Sequence, residues 1–394
     1  MVAHPEQQTT HPETRLSWRQ LNAYILAPYL LSRGIIIFTV WASQIFDGGP
    51  FRNIPKGAPL SYQIANLIPI WDGAWYLTIV QTGYLPVREL GDVQNNIVFF
   101  PLYPFFVRIL TFMLPPSWQT YTNIAILGAI VSNVFFILIL IYLFKLTQRL
   151  TQDENTAKRA VFYLLIFPSS FYFSIVYTEA TYLVFAILCF WMLYKRNWEL
   201  VGLFGGLAAL CRPPGLLILV SVLWVYASDR QWNIKKIDVK LLWVMLIPIA
   251  TVAFFLVQSL ISGDILAPVV SQNAWGRELT PIWQLLEIPY DNDEPNYYLN
   301  AFNRIFLISF FIFGLIVLFR MSIELGLFTL LQLAPQIISG SFDSSVRYCA
   351  VLFPVFILLA IWGKHPLVDK SITYILLTLQ AIFVIGFSQG YWVV

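Results

Sequence analysis

Charge is scarce in this sequence. Of its 394 residues only 11% are Asp, Glu, Lys or Arg, against about 25% in a soluble domain, so most of its surface is built to meet something other than water. Cysteine is scarcer: Cys189, Cys211 and Cys349 stand apart with no CxxC pair, which excludes a disulfide framework and a thiolate metal knuckle. Histidine occurs three times, as His4 and His11 in a polar N-terminal stretch and His365 in a late basic segment. That dispersal argues against a His-dependent triad or zinc site. There is no Gly-rich phosphate loop, no internal repeat and no low-complexity tract. A formal charge of +3, with basic residues spread through many loops, gives no footing for nucleic acid.

Apolar residues dominate what remains. They make up 58% of the chain and give a mean hydropathy of +0.69. Repeated apolar runs of about 17 to 25 residues are candidate transmembrane helices. Spans are predicted over 21–44, 121–146, 158–175, 178–194, 198–211, 214–228, 240–262, 303–320, 322–340, 347–363 and 371–390. The expectation is an all-α polytopic membrane protein of about 11 transmembrane helices (roughly 9 to 13). Residues 1–20 form a polar tail, and the apolar run after it is too long for a signal-peptide core and lacks a cleavage site. It reads as a retained span.

Lysine and arginine in short loops set the orientation. With the N-terminal tail cytoplasmic, the inside segments hold Arg15, Arg19, Lys145, Arg149, Lys158, Arg159, Lys195, Arg196, Arg230, Lys235, Lys236, Lys240, Arg320, Lys364 and Lys370. The other side collects Asp47, Asp72, Glu89, Asp92, Glu179, Asp264, the acids of 278–294 and Asp343. This arrangement requires that "IVFFPLYPFFVRILTFMLPP" (97–116) not cross the bilayer. With Pro101, Pro104, Arg108 and a terminal Pro-Pro, it reads as an amphipathic, proline-broken interfacial helix. Two extracytoplasmic loops follow, 45–120 and 263–302, on a single transmembrane domain over 21–394.

The isolated charges gather on the outer side. Asp72 opens "WDGAWYLTIVQTGY", where Trp71, Trp75 and Tyr76 suit an interfacial aromatic belt. As Asp before an apolar helical run it is a favoured N-cap; as a carboxylate at the mouth of an apolar cavity it is a candidate general base. Glu179, in "FPSSFYFSIVYTEATY", starts another helix, either as a favourable partner of its dipole or as a functional carboxylate at a membrane boundary. Arg212, in "ALCRPPGLL", is a snorkelling terminator or an anion ligand, since the guanidinium fork matches phosphate oxygens. Arg347, in "SFDSSVRYCAVLFP", opposes the dipole of its helix and so needs a bound anion or a carboxylate such as Asp343. Arg33, in "LLSRGIII", lies deepest and needs a carboxylate or a lipid phosphate.

Taken together, "WDGAWYLTIVQTGY", "FFPLYPFF" (with Tyr103), "FPSSFYFSIVYTEATY" and "GGLAALCRPPGLL" resemble, in order and spacing, the PIG-V-type mannosyltransferase family and its prokaryotic relatives. The resemblance runs from the first span to about residue 220 and continues more loosely in "SVRYCAVLFP" and "GYWVV". It implies a GT-C-type membrane glycosyltransferase fold and an inverting enzyme using a polyprenyl- or dolichyl-phosphate sugar, mannose or another hexose. It carries the role of base onto Asp72 and family positions onto Glu179 and Arg212. Arg212, Arg347, Arg33, Trp71, Trp75, Tyr76 and Tyr103 complete the expected substrate-binding set. The loops are trimmed relative to eukaryotic members, which points to a bacterial plasma-membrane homologue whose acceptor is a glycan or glycolipid. No cofactor is required by this chemistry, although the outer carboxylates offer a place for a divalent metal.

The competing reading is a non-enzymatic lipid or glycolipid transporter using Arg33, Glu179 and Arg212 as a path. Transporters of that kind often carry internal repeats and broken helices in matching positions, and no repeat is seen. An assembly partner with a degenerate site is a third reading, which the intact acid and arginines disfavour.

Overall fold

The computed structural model describes residues 16–46, 54–55, 57–85, 93–276, 297–339, 342–391 and 393. The tail as far as Arg15, together with Asp47, Glu89, Asp92 and the acids of 278–294, lies outside the described residues. Within them every regular element is helical. Five helices are long and apolar enough to cross a membrane: Trp18–Ile45 (α1), Tyr121–Thr151 (α5), Lys240–Ser262 (α10), Ala301–Arg320 within Tyr297–Arg320 (α11), and Pro366–Ser388 (α15). Between α1 and α5 come three short ones, Leu60–Leu67 (α2), Asp72–Thr82 (α3) and Leu102–Phe112 (α4). Glu154–Leu165 (α6), Glu179–Tyr194 (α7), Trp198–Ala209 (α8) and Pro213–Asp229 (α9) follow α5. Ile323–Ser339 (α12), Ser345–Ala350 (α13) and Phe353–Trp362 (α14) follow α11.

Two expected spans are broken, each at a proline. The run 158–175 is helical only to Leu165 and resumes as a 3-10 turn over Ser170–Ser174. Pro168 lies between them, and the residue before a proline is pushed out of the α region. The run 347–363 divides into α13 and α14, because Pro354 has no N–H to continue α13 and its ring would meet the carbonyl four residues back. The segment 97–116 is α-helical only over α4, and 11 residues reach about 16 Å, too short for a hydrocarbon core of about 30 Å. Phe105, Ile109 and Phe112 on α4 are exposed while Tyr103, Val107 and Thr111 are buried, so the helix has one face for the protein and one for lipid.

The helices are arranged as antiparallel hairpins, and this separates two kinds of surface. Helix α7 runs from Glu179 to Tyr194, about 24 Å at 1.5 Å per residue, and returns through Arg196 (φ +58°) and the cap Asn197 as α8. At the Tyr194 end lie the basic segments. Lys364 pairs with Asp153 at 3.0 Å, Arg196 with Asp229 at 2.7 Å, and Arg149 donates to the Tyr194 carbonyl at 3.1 Å. Proline-interrupted helix ends gather at the Glu179 end. The buried face of α14 is apolar all round, as befits a helix enclosed by others.

Close backbone approach makes one hairpin specific. A Cβ on Gly202 would overlap the Trp243 carbonyl, and one on Gly206 would come within 3.1 Å of the Leu246 carbonyl. These glycines form the small-xxx-small face of α8 against the start of α10. Gly202→Leu is therefore expected to lower the melting temperature in detergent sharply. Gly34→Ala, where a Cβ meets nothing within 4 Å, should be neutral or slightly stabilising, since alanine is the better helix former.

Candidate active site

Asp72 is not an N-cap. The cap position of α3 is Trp71, at φ +61° and ψ −121°, while Asp72 is the first helical residue. Those angles are the ones glycine dominates at the first central position of a type II′ turn, and the Gly73 N–H closes that turn onto the Ile70 carbonyl at 3.2 Å. A bulky residue held there stores local strain. The turn is pinned from outside: Tyr177 Oη donates to the same Ile70 carbonyl at 3.1 Å, and the Val176 N–H to the Ile68 carbonyl at 3.2 Å. Gly73 is required by the packing, because a Cβ there would lie 3.1 Å from the Val176 carbonyl. The carboxylate of Asp72 is thus free of capping duty and turns inward.

It meets Arg347. The guanidinium donates through Nη1 to Asp72 Oδ2 at 2.8 Å, joining residues 275 apart in the chain. Its Nε lies 3.4 Å from Glu179 Oε1, and Arg212 Nη1 donates to that same oxygen at 3.0 Å. The result is an alternating row, Asp72–Arg347–Glu179–Arg212, neutral in sum. Glu179 is the most enclosed, its side chain 1% exposed; Arg347 and Arg212 are 7% and 8% exposed, and Asp72 is the most open at 16%. Glu179 Oε2 is buried without a hydrogen-bond partner among the described residues. Aromatic rings line the cations: Arg212 lies over Tyr348 at 4.4 Å, and Arg347 over Tyr177 at 5.0 Å and Tyr172 at 5.6 Å. Such contacts strengthen as water is excluded.

The four charges share one cavity of about 80 Å³, walled further by Tyr76, Phe99, Phe100, Thr178, Gln272, Trp275 and Tyr348. Tyr76 Oη lies 3.3 Å from Thr178 Oγ1. Burial first, then the carboxylates of Asp72 and Glu179, push the Tyr76 phenol up, so it keeps its proton and serves as a neutral hydrogen-bonding group. A second, smaller hollow of about 10 Å³ lies on the other side of Arg347, between Trp71, Tyr172, Tyr177, Phe387, Tyr391 and Val393. Among the described residues, no group of three His, Cys, Asp or Glu side chains gathers as a metal centre would need.

The expected site residues divide accordingly. Asp72, Glu179, Arg212, Arg347 and Tyr76 come together around the main cavity, and Trp71 walls the smaller one. Trp75 instead stacks behind Phe99, with ring centroids 6.2 Å apart. Tyr103 is fully buried behind Tyr76 in an edge-on contact at 5.7 Å. Arg33 is elsewhere. Among the described residues it meets no carboxylate and does not line the cavity; it donates to the Ser170 carbonyl at 3.0 Å, Ser170 Oγ at 2.8 Å and Ser174 Oγ at 2.9 Å. Its role is to hold the 3-10 turn that leads into Tyr177 and Glu179. Tyr348, Thr178, Gln272 and Trp275 were not foreseen; only Tyr348 and Thr178, adjacent in sequence to Arg347 and Glu179, carried a signal.

A helical membrane protein with paired carboxylates and arginines in a pocket at helix ends is the class these features define. The profile of the Mannosyltransferase (PIG-V) family matches residues 59–261, just over half of the chain and including Asp72, Glu179 and Arg212. The chain belongs to that family. It is 27% identical over 215 residues to the GPI mannosyltransferase 2 of Drosophila pseudoobscura pseudoobscura, a match covering 49% of this chain and 45% of that protein. The match thus spans about half the length of that relative. Two solved structures superpose on it at 12% identity: ArnT from Cupriavidus metallidurans bound to undecaprenyl phosphate, and the oligosaccharyltransferase AglB from Archaeoglobus fulgidus with an inhibitory peptide and a dolichol-phosphate. Both have a TM-score of 0.48; the alignments cover 92% and 95% of this chain, and 76% and 56% of the respective partners.

The row of charges makes a stability prediction. Removing Glu179 leaves two buried guanidiniums short of a counter-charge, a change that costs about 3–5 kcal/mol when one partner of a buried pair is lost. Glu179→Ala should therefore melt well below wild type in detergent. Asp72→Ala, at the open end of the row, should shift the melting temperature much less; equal losses would contradict the order of burial.

Proposed function

We propose that this chain is an inverting membrane glycosyltransferase of GT-C type, moving a hexose, in the first instance mannose, from a polyprenyl-phosphate carrier to a glycan or glycolipid acceptor. The observation that carries this reading is the meeting of Asp72, Arg347, Glu179 and Arg212 in one cavity of a chain from a mannosyltransferase family. The donor's phosphate is already a good leaving group, so the chemistry asks for two things: a base for the acceptor hydroxyl, and cations for the departing phosphate. Asp72, the most open carboxylate of the row, is the base. As the acceptor oxygen attacks the anomeric carbon, the bond from that carbon to the phosphate oxygen breaks; the hydroxyl proton passes to Asp72 and the electron pair leaves on the polyprenyl phosphate. Attack from the face opposite the leaving group inverts the anomeric centre.

Arg212 and Arg347 receive the phosphate. Each already faces a carboxylate at 2.8–3.0 Å, so an arriving phosphate competes with carboxylates for the same guanidiniums. Drawing Arg347 toward phosphate loosens its hold on Asp72 and frees that carboxylate to meet the acceptor hydroxyl, coupling donor arrival to engagement of the base. Glu179 keeps both cations aimed at the cavity, with its second oxygen available to a sugar hydroxyl. Phe99, Phe100, Trp275 and Tyr348 supply ring faces for a hexose. The reading places this end of the bundle on the extracytoplasmic face of a bacterial plasma membrane, opposite the basic loops.

An in-membrane assay with polyprenyl-phosphate mannose tests it. Asp72→Asn should fold and melt normally yet lose transfer by several orders of magnitude; full transfer by that variant would remove Asp72 from the role of base. Arg212→Ala and Arg347→Ala should raise the donor KM or lower kcat while leaving the acceptor KM nearly unchanged, and unaltered donor kinetics would reject the phosphate-binding role.

A further inference from the structure

A roomy cavity among the described residues lies at the far end of the bundle from the four charges. It measures about 870 Å³ and is lined by Leu150 and Thr151 at the end of α5, by residues of α11 between Ile312 and Arg320 with Met321 just after it, and by residues between Leu358 and Lys364 around the end of α14. Its origin is geometric. Helix α14 is only 10 residues long, about 15 Å, and it stops at Gly363, where a Cβ would run into Tyr163 Oη. The longer α5 and α11 flank the space beyond its end. The walls are apolar (Ile312, Ile316, Phe319, Leu358, Ile361, Trp362), but the rim carries two cations, Arg320 and Lys364. Arg320 is an exposed side chain at the last position of α11. Lys364 is 50% exposed and pairs with Asp153 Oδ2 at 3.0 Å.

Apolar walls below a cationic rim, at the level where the basic loops mark the membrane surface, complement one kind of molecule. Zwitterionic lipid gains less from two cations, because its own ammonium offsets its phosphate, and a soluble anion gains nothing from the walls. We propose that this cleft is a specific binding site for an anionic phospholipid of the leaflet on the basic side, its acyl chains between α5, α11 and α14 and its phosphate bridging Arg320 and Lys364. The site is separate from the sugar-transfer cavity and does not depend on the function proposed for it. The lipid would act as a filler for the wedge that the short α14 leaves, joining α11 to the core of the bundle.

Native mass spectrometry of the full chain, released from nanodiscs of phosphatidylcholine doped with phosphatidylglycerol, tests this. One phosphatidylglycerol should be retained per chain in preference to phosphatidylcholine. Arg320→Gln and Lys364→Gln should each weaken that retention about fivefold, the effect of one cation of about 1 kcal/mol beside an anionic surface. Asp153→Asn, which frees Lys364, should maintain or strengthen it. Ile316→Trp, which narrows the cleft, should weaken it while the chain still melts cooperatively. Lys235→Gln/Lys236→Gln, on a separate basic loop, should leave it unchanged. Equal retention of the two lipids, an equal loss from the Lys235/Lys236 variant, or retention undiminished by Ile316→Trp would each overturn the assignment, as would a second copy of the chain occupying the cleft.

Discussion

Glu179 sits at the first turn of a helix whose remaining side chains are almost all buried and mostly apolar, and an ionised carboxylate cannot stay there alone. Two guanidiniums meet it from separate segments of the chain, Arg212 from the turn after α8 and Arg347 from α13. Arg347 then reaches Asp72 in the first loop. One buried acid thus ties together three separate segments of the chain, and it does so in the wall of the cavity. A row of four alternating charges is self-consistent while nothing else is bound. It is also the kind of arrangement that an arriving anion rearranges, because a phosphate is a better bidentate partner for arginine than a single carboxylate oxygen.

The helices that build this site are the interrupted ones. Pro168, Pro213 and Pro354 each stop or delay a helix near the same end of the bundle, and Trp71 turns the chain through a backbone conformation that bulky residues avoid. Interruptions leave polar backbone to be satisfied inside an apolar protein. Arg33 does part of that work by donating to the 170–174 turn, and Tyr177 does more by holding the Ile70 carbonyl. The strain at Trp71 and the close fit of Gly73 against Val176 therefore belong to one device, which fixes the direction in which Asp72 points.

Much of this was readable in advance, for identifiable reasons. Long apolar runs announce spans because hydrophobic length is the property being selected, so α1, α5, α10 and α15 fall where hydropathy puts them. The isolated charges announced the site because a charge in such a sequence needs a partner. What sequence could not give was the partner. Arg33 and Arg347 look alike as lone arginines at apolar helices, yet one meets backbone carbonyls and the other two carboxylates, and only long-range packing decides between them. Asp72 looked like a helix cap because Asp before an apolar run usually is one; the unusual φ of Trp71 moved the cap back by one residue. Trp275 and Gln272 come from a loop whose path no local pattern records.

The central claim is that the row of charges serves sugar transfer from a lipid phosphate. The most direct measurement offers the chain in membranes a polyprenyl-phosphate mannose and a nucleotide mannose in parallel, and determines the anomeric configuration of any product. The account predicts transfer from the polyprenyl-phosphate donor alone, with inversion at the anomeric carbon. Transfer from the nucleotide donor, retention of configuration, or no transfer from any polyprenyl-phosphate hexose across a panel of glycan and glycolipid acceptors would contradict it.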